Sequence, residues 1–366
     1  MDIGKLQRRF AGVLTPASKA YAALMRARAL CHTVRGPSQP YRSAIPVVSV
    51  GNIAWGGTGK TPVVDYLLTA TGQAGLRTAV LTRGYKASPP QLPFPVCPDE
   101  RDASLAGDEP LLLAQRHPEA TVIVDPKRSR AAAWAENNLR PDLLLLDDGM
   151  QHLGVARDLD IVLLRPEDLL DQWNRVIPAG SWREGASALQ RAHAFCLKAD
   201  PALFAALSPV AEQRLASFGC PLFSFYLEPS GLERLVPSGA TQERATGLTG
   251  VPYTLVCGTA NPDQVTATAS AFLGYSPAET FAFPDHYPYT AGDVRAFCAS
   301  ERPVVCTGKD AVKLAALLPE AKEVPLWVLT VAPCFGPALF TDKPFDVWWQ
   351  NSLHTLLADR KNADTP

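Results

Sequence analysis

Gly51-Asn-Ile-Ala-Trp-Gly-Gly-Thr-Gly-Lys-Thr61 decides the fold. An apolar run, Ile45-Pro-Val-Val-Ser-Val50, precedes it, and a segment that reads as a helix, about Pro62 to Thr71, follows. Strand, glycine-rich turn and helix is the order a phosphate-binding loop requires. Backbone N–H groups of such a turn point at phosphate oxygens, and the helix N-terminus adds positive potential. Ala54, Trp55, Gly56, Gly57, Thr58, Gly59, Lys60 and Thr61 are therefore the candidate nucleotide-binding residues. A lysine at the position of Lys60 reaches the β/γ-phosphates of ATP, and a hydroxyl at the position of Thr61 ligates Mg²⁺. The strict pattern places Gly at position 54, where this chain has Ala54; Gly56 and Gly57 are expected to supply the freedom instead.

Outward from the loop, further apolar runs read as buried strands: 78–82, 120–124, 142–146, 160–164 and 193–197. Helical segments lie between several of them, around 108–116, 127–138 and 201–216. Continuous apolar strands alternating with helices indicate an α/β fold, a P-loop NTPase-type parallel sheet with helices on both faces. The pattern changes near 221, where 222–227 and the residues to about 236 suggest a strand pair acting as a connector. A second set follows, with strands near 253–257, 303–306 and 326–331 and helices near 262–273 and 310–317. The expected organisation is a kinase-type domain over 1–220, connector strands over 221–250, and a smaller α/β domain over 251–366.

The chain has 366 residues, 47% of them hydrophobic and 19% charged, which is globular composition and excludes a disordered or fibrous chain. The formal net charge of −1 hides an asymmetry. Residues 1–44 hold eight basic side chains (Lys5, Arg8, Arg9, Lys19, Arg26, Arg28, Arg35, Arg42) and Asp2, a balance of +7, so the rest carries −8. Within this arm, Tyr21, Leu24, Met25 and Arg28 have helical spacing over 17–31. The helix either docks on its own domain or lies on a membrane, with Phe10, Val13, Leu14, Tyr21, Leu24 and Met25 inserted and the basic side chains toward anionic headgroups. The eight cysteines form no C-x-x-C pair, so no zinc or redox motif is expected. The uncharged stretches 245–262 and 324–341 contain Pro, Gly and polar residues and read as strand–loop units, not as spanning helices.

Leu143-Leu-Leu-Leu-Asp147-Asp148 ends an apolar strand in two carboxylates, the source of a metal ligand in such enzymes. Arg83 and Arg128 follow strands at the same edge and are candidates for phosphate. Taken alone, Asp108 in Gly107-Asp-Glu-Pro110 reads as a helix cap, and Asp285-His286 as a surface pair that is also able to carry a proton. Pro178-Ala-Gly-Ser-Trp-Arg183-Glu184 says little by itself.

Together these segments resemble the tetraacyldisaccharide 4′-kinase family, the lipid A 4′-kinases of Gram-negative bacteria. The resemblance rests on Val50 to Pro62, Thr82-Arg-Gly-Tyr85, Gly107 to Pro110, Asp147-Asp-Gly-Met-Gln-His152, Ala156-Arg-Asp-Leu-Asp160, Pro178 to Gly180, Arg183-Glu184, Asn261-Pro262, Asp285-His286 and Lys309 to Leu314. It implies transfer of the ATP γ-phosphate to the 4′-hydroxyl of a tetraacyldisaccharide 1-phosphate, giving lipid IVA, with Mg²⁺. It implies attachment to the cytoplasmic face of the inner membrane, here through the basic arm, with no nucleic acid partner expected. It makes Asp108 and His286 a catalytic pair beside Lys60, places Asp147 or Asp148, with Glu184, near the metal, and Arg83, Arg128 and Arg183 near the substrate. On the boundaries above, Asp108 and His286 lie in different domains, and domain closure is expected to join them. A regulatory GTPase or metallochaperone is the rival, but Thr307-Gly-Lys-Asp310 has the wrong spacing for an N/T-K-x-D base-reading segment. A non-catalytic membrane module leaves Lys60, Asp147 and Asp108 without a task.

Overall fold

The computed structural model describes residues 10–33, 39–100, 102–236, 243–321 and 323–363. In chain order the first elements are α1 (Ala11–Thr33), β1 (Val47–Asn52), α2 (Lys60–Gln73), β2 (Thr78–Thr82), β3 (Phe94–Pro95), α3 (Ala103–Ala106), α4 (Asp108–Arg116) and β4 (Thr121–Val124). Next come α5 (Arg128–Asn138), β5 (Leu143–Asp147), β6 (Leu159–Leu164), α6 (Pro166–Leu169), β7 (Ala194–Lys198), α7 (Pro201–Leu215), β8 (Leu222–Arg234) and β9 (Arg244–Ala245). The last are β10 (Thr254–Gly258), α8 (Pro262–Leu273), β11 (Glu279–Phe283), α9 (Ala291–Cys298), β12 (Val304–Thr307), α10 (Gly308–Leu314), β13 (Leu326–Leu339) and α11 (Phe345–Ala363). Among the described residues no helix is long and apolar enough to cross a membrane.

The α/β reading holds, and the chain forms two compact units interleaved in sequence. The first comprises 1–83, 125–226 and 333–366; the second comprises 84–124 and 227–332. In the first, β1 lies between β5 and β6, all parallel; β2 adds beyond β5 and β7 beyond β6. Every residue of these five strands except Lys198 is buried, which is what strands covered on both faces require. In the second, β11, β10, β12 and β13 are parallel neighbours, while β3 and β4 form a short antiparallel pair.

This division differs from the expected split at 221–250. The chain leaves the first unit after Arg83 and returns at Asp125, and it leaves again after Tyr226 and returns at Pro333. The expected connector is also different. Residues 222–234 form one long strand, and only the two-residue β9 pairs with it locally. β8 instead lies between β7, its parallel partner over 222–225, and β13, which it meets through Ser224 Oγ to Pro337 O (2.9 Å) in the first unit and Ser230 Oγ to Thr330 Oγ1 (2.9 Å) in the second.

Candidate active site

In the first unit the phosphate loop hangs from the buried end of β1. Asn52, Ile53 and Ala54 are fully buried, Trp55 is exposed, and α2 begins at Lys60. Positive φ falls on Gly56 (107°) and Gly59 (87°), not on Gly57, so the left-handed turns sit on residues without a Cβ. Ala54 needs no such φ, which explains why the loop tolerates a side chain there. Its methyl is buried, and Ala54 bridges to Trp182 as in a strand pair. Trp55 N–H donates to Ser181 O (2.9 Å) and Arg183 N–H to Ile53 O (2.7 Å), so the segment around Trp182 braces the loop. Arg165 approaches from the other side. Buried Asp168 holds its Nε (3.3 Å) and Nη2 (3.2 Å), and its Nη1 lies 3.4 Å from where a Cβ on Gly56 would stand.

The carboxylates at the end of β5 take different environments. Asp147 is buried and accepts from Thr82 Oγ1 at 3.1 Å. Asp148 adopts a positive φ of 52°, which turns its side chain toward Lys60 Nζ (3.5 Å) and Arg183 Nη1 (2.9 Å). Burial alone would raise the Asp148 carboxyl, but Lys60 and Arg183 outweigh it and hold it below the ordinary carboxylate range. Lys60 Nζ also donates to Asn52 Oδ1 (3.1 Å). The lysine therefore lies along the loop, beside the residues that a nucleotide phosphate would meet.

The expected substrate arginines separate. Arg183 is committed to Asp148 and to Gln151 Oε1 (2.9 Å). Arg128 is buried and donates to Asp125 O (3.0 Å); burial lowers its guanidinium to about 10 against the pull of Asp147 and Asp148. Arg83 is exposed at the end of β2. Glu184, expected at the metal, instead pairs through both oxygens with Arg191 (2.8 and 3.1 Å). Among the described residues no three His, Cys, Asp or Glu side chains gather as a metal set.

Asn52, Gln151 and Arg165 belong to this constellation although their side chains carried no sequence assignment. Asn52 and Gln151 were visible as flanks of the glycine loop and of Asp147-Asp148. Arg165 had no local signal. His152 sits beside them, and burial followed by the charge of Arg128 drops its imidazole to about 4, so it is neutral at physiological pH.

The other expected pair lies entirely in the second unit. Asp108 opens α4 after Gly107, whose φ is 88° and whose Cβ, were there one, would sit 3.0 Å from Tyr85 O. His286 has a φ of 60° and brings Nδ1 to 3.0 Å from Asp108 Oδ2. The Tyr85 ring leans on the imidazole at 5.2 Å between centroids. Asp285 Oδ2 is 3.8 Å from Nε2. Asp108 and His286 are thus already in contact within one unit, and no domain closure is needed to join them. The excursion of 84–124 into the second unit is the reason. Lys313 Nζ reaches the same Asp108 oxygen at 3.2 Å, and Lys309 pairs with Glu109.

The family model described as LpxK, tetraacyldisaccharide-1-P 4′-kinase, matches residues 10–343. A relative named tetraacyldisaccharide 4′-kinase from Nitratidesulfovibrio vulgaris is 52% identical, over 98% of this chain and 99% of its own. One of the same name from Oleidesulfovibrio alaskensis is 47% identical, over 94% and 96%. Among solved structures, "apo" form LpxK from Aquifex aeolicus in complex with ATP superposes with a TM-score of 0.69 at 25% identity, covering 96% of this chain and 99% of that one. With a family match that runs from the arm helix to just past β13 and relatives alike along almost their whole length, the chain belongs to the tetraacyldisaccharide-1-P 4′-kinase family.

Proposed function

We propose that this protein transfers the γ-phosphate of ATP to the 4′-hydroxyl of a tetraacylated glucosamine disaccharide 1-phosphate, forming lipid IVA. The observation that carries the proposal is the phosphate loop with Lys60 between Asn52 and Asp148, in a chain that belongs to this family. Phosphoryl transfer asks the protein mainly for positioning and charge neutralisation. Loop amides from Gly56 to Thr61 and the N-terminus of α2 hold the phosphates, and Lys60 counters their charge. The donor set of Thr61, Asp147 and Asp148 is all oxygen, which suits Mg²⁺, a cation that keeps most of its waters and takes one or two carboxylates with phosphate oxygens. When bound, Mg²⁺ supplies charge neutralisation at the phosphates. Glu184 does not fit a direct ligand role while Arg191 occupies both its oxygens, so it braces Arg191 beside the Asp148 loop.

Asp108 accepts the proton of the sugar hydroxyl, and His286 orients it. Arg83 is the arginine left free to meet substrate phosphate, whereas Arg128 and Arg183 act through the acidic loop they hold. The enzyme works at the cytoplasmic face of the inner membrane. The exposure of Val13 and Leu24 on one face of α1, with Lys19, Arg26 and Arg28 in solvent, supports that placement. Four of the eight basic residues of the arm, Lys5, Arg8, Arg9 and Arg35, lie outside the described residues.

Lys60→Ala is the test. We expect at least a hundredfold loss of kinase turnover with an unchanged melting temperature. Near-normal turnover in the folded variant would sink the proposal.

A further inference from the structure

Lys313 has no part in the chemistry described so far, yet it reaches the group assigned as the base. We propose that Lys313 is a positioning residue for Asp108: it clamps Oδ2 so that Oδ1 alone is open to the acceptor hydroxyl. The inference rests on the reading of Asp108 as the base.

Two contacts converge on one oxygen. His286 Nδ1 lies 3.0 Å and Lys313 Nζ 3.2 Å from Asp108 Oδ2. They come from different elements, the turn after β11 and the helix α10. A single partner would let the carboxylate pivot about that contact, exchanging its two oxygens; a second contact from another direction stops the exchange. Among the described residues both partners fall on Oδ2, which leaves Oδ1 for the incoming hydroxyl.

Lys313 is itself held. Its side chain is 11% exposed, its Nζ stands 5.3 Å over the Tyr289 ring, and Asp310 Oδ1, one helical turn earlier, is 4.0 Å away. Asp310 is fully buried and accepts from Gly258 N–H (3.1 Å), Tyr289 Oη (2.9 Å) and Thr307 Oγ1 (2.7 Å). Three donors from β10, β12 and the approach to α9 thus immobilise the carboxylate that guides the lysine. Lys313 Nζ is buried and makes no hydrogen bond of ordinary geometry, so its hold on Asp108 Oδ2 is the attraction of opposite charges. An ammonium carries three donors, and burying it without directed bonds is unfavourable. A structural role alone would be served better by an apolar side chain over Tyr289. The charge beside Asp108 is what such a replacement would lose.

The test compares Lys313→Met, Asp108→Asn and the double variant in the full-length protein. Lys313→Met should lower kcat by about 10–100-fold, since a displacement near 1 Å at a reacting group costs on this scale. The KM values for ATP and for the lipid should stay within about twofold. In the Asp108→Asn background, Lys313→Met should cause no further loss, because the lysine acts only through Asp108. Unchanged kcat in Lys313→Met, or losses that multiply in the double variant, would overturn the proposal. Should Lys313→Met melt early, Lys313→Gln assayed below its melting point carries the same comparison, and normal turnover there overturns it equally. Full activity in Asp108→Asn would instead overturn the base assignment itself, a separate and distinguishable failure.

Discussion

Asp108 and His286 act as one unit if the 3.0 Å contact between them is the working one. Each alanine variant is then expected to lower kcat by about 10²–10⁴-fold with little change in KM. The double variant should lose hardly more than either single one, and multiplied losses in steady-state kinetics would give Asp108 and His286 independent roles. His152 gives a pH signature. Its imidazole titrates near 4 in the folded chain against an ordinary 6.5, because burial and then Arg128 oppose its charge. Between those values the unfolded chain binds more protons, so stability rises with pH across the window and is lost as pH falls. For one histidine the change from pH 8 to pH 5 is on the order of 2 kcal/mol. His152→Gln should flatten that part of a denaturation-versus-pH curve, and an unaltered curve would remove His152 as its source. At this scale the sequence was informative where chemistry repeats a pattern, as in Gly59-Lys60-Thr61 and Asp147-Asp148. It was silent on Lys313 and Arg165, whose neighbours come from distant segments, and on the pairing of Glu184 with Arg191 seven residues on.

The arm helix α1 is longer than its periodicity suggested, running Ala11–Thr33 through Pro16. One face of it docks on its own unit, the first of the two readings of the arm. Ser18 Oγ accepts from Ala179 N–H (2.8 Å), and Tyr21 and Ala22 pack on the core of the first unit. Tyr21 therefore turns inward instead of inserting, while Val13 (76% exposed) and Leu24 (62%) remain outward. Ser18→Ala should lower stability by about 1 kcal/mol, the worth of one hydrogen bond, and leave vesicle binding alone. Val13→Glu with Leu24→Glu should do the opposite: weaker co-sedimentation with anionic vesicles at an unchanged melting temperature. Equal vesicle binding in the paired variant would remove the exposed face from the membrane. Buried strands were legible because both their faces are apolar. The edge strand β11 was not, since Glu279 and Thr280 are exposed and its apolar run, Phe281-Ala-Phe283, is short. The capping box of Thr290 and Asp293 at the start of α9, and the spacing of Phe345, Trp349 and Leu353 in α11, were signals available in the sequence and not used.

Across the whole molecule, the interleaving of the units was the feature least visible in the sequence. Nothing local marks 84–124 as an excursion, because β4 and α4 read like any other strand and helix of a parallel fold. Nor does α11 announce which unit it joins. Its Phe345 stacks on Phe335 (3.7 Å between centroids) and meets Phe223 of β8 edge-on, all within the first unit. Removing residues 340–363 should accordingly destabilise the nucleotide-binding unit. Three large buried side chains, Phe345, Trp349 and Leu353, are worth about 5 kcal/mol in burial. In hydrogen exchange, amides of 143–147 and 222–226 should lose protection while those of 254–258 and 304–307 keep theirs. Loss confined to the later set would place the helix with the wrong unit.

The same threading sets an order of events on the ribosome. Translation runs from the N-terminus, so residue 332, the last of the second unit, is made before any of 333–363. The unit holding Asp108 and His286 has all its residues in hand while the unit holding Lys60 still waits for half of β13 and all of α11. The unit that holds Lys60 is therefore the last to have all its strands and helices synthesised.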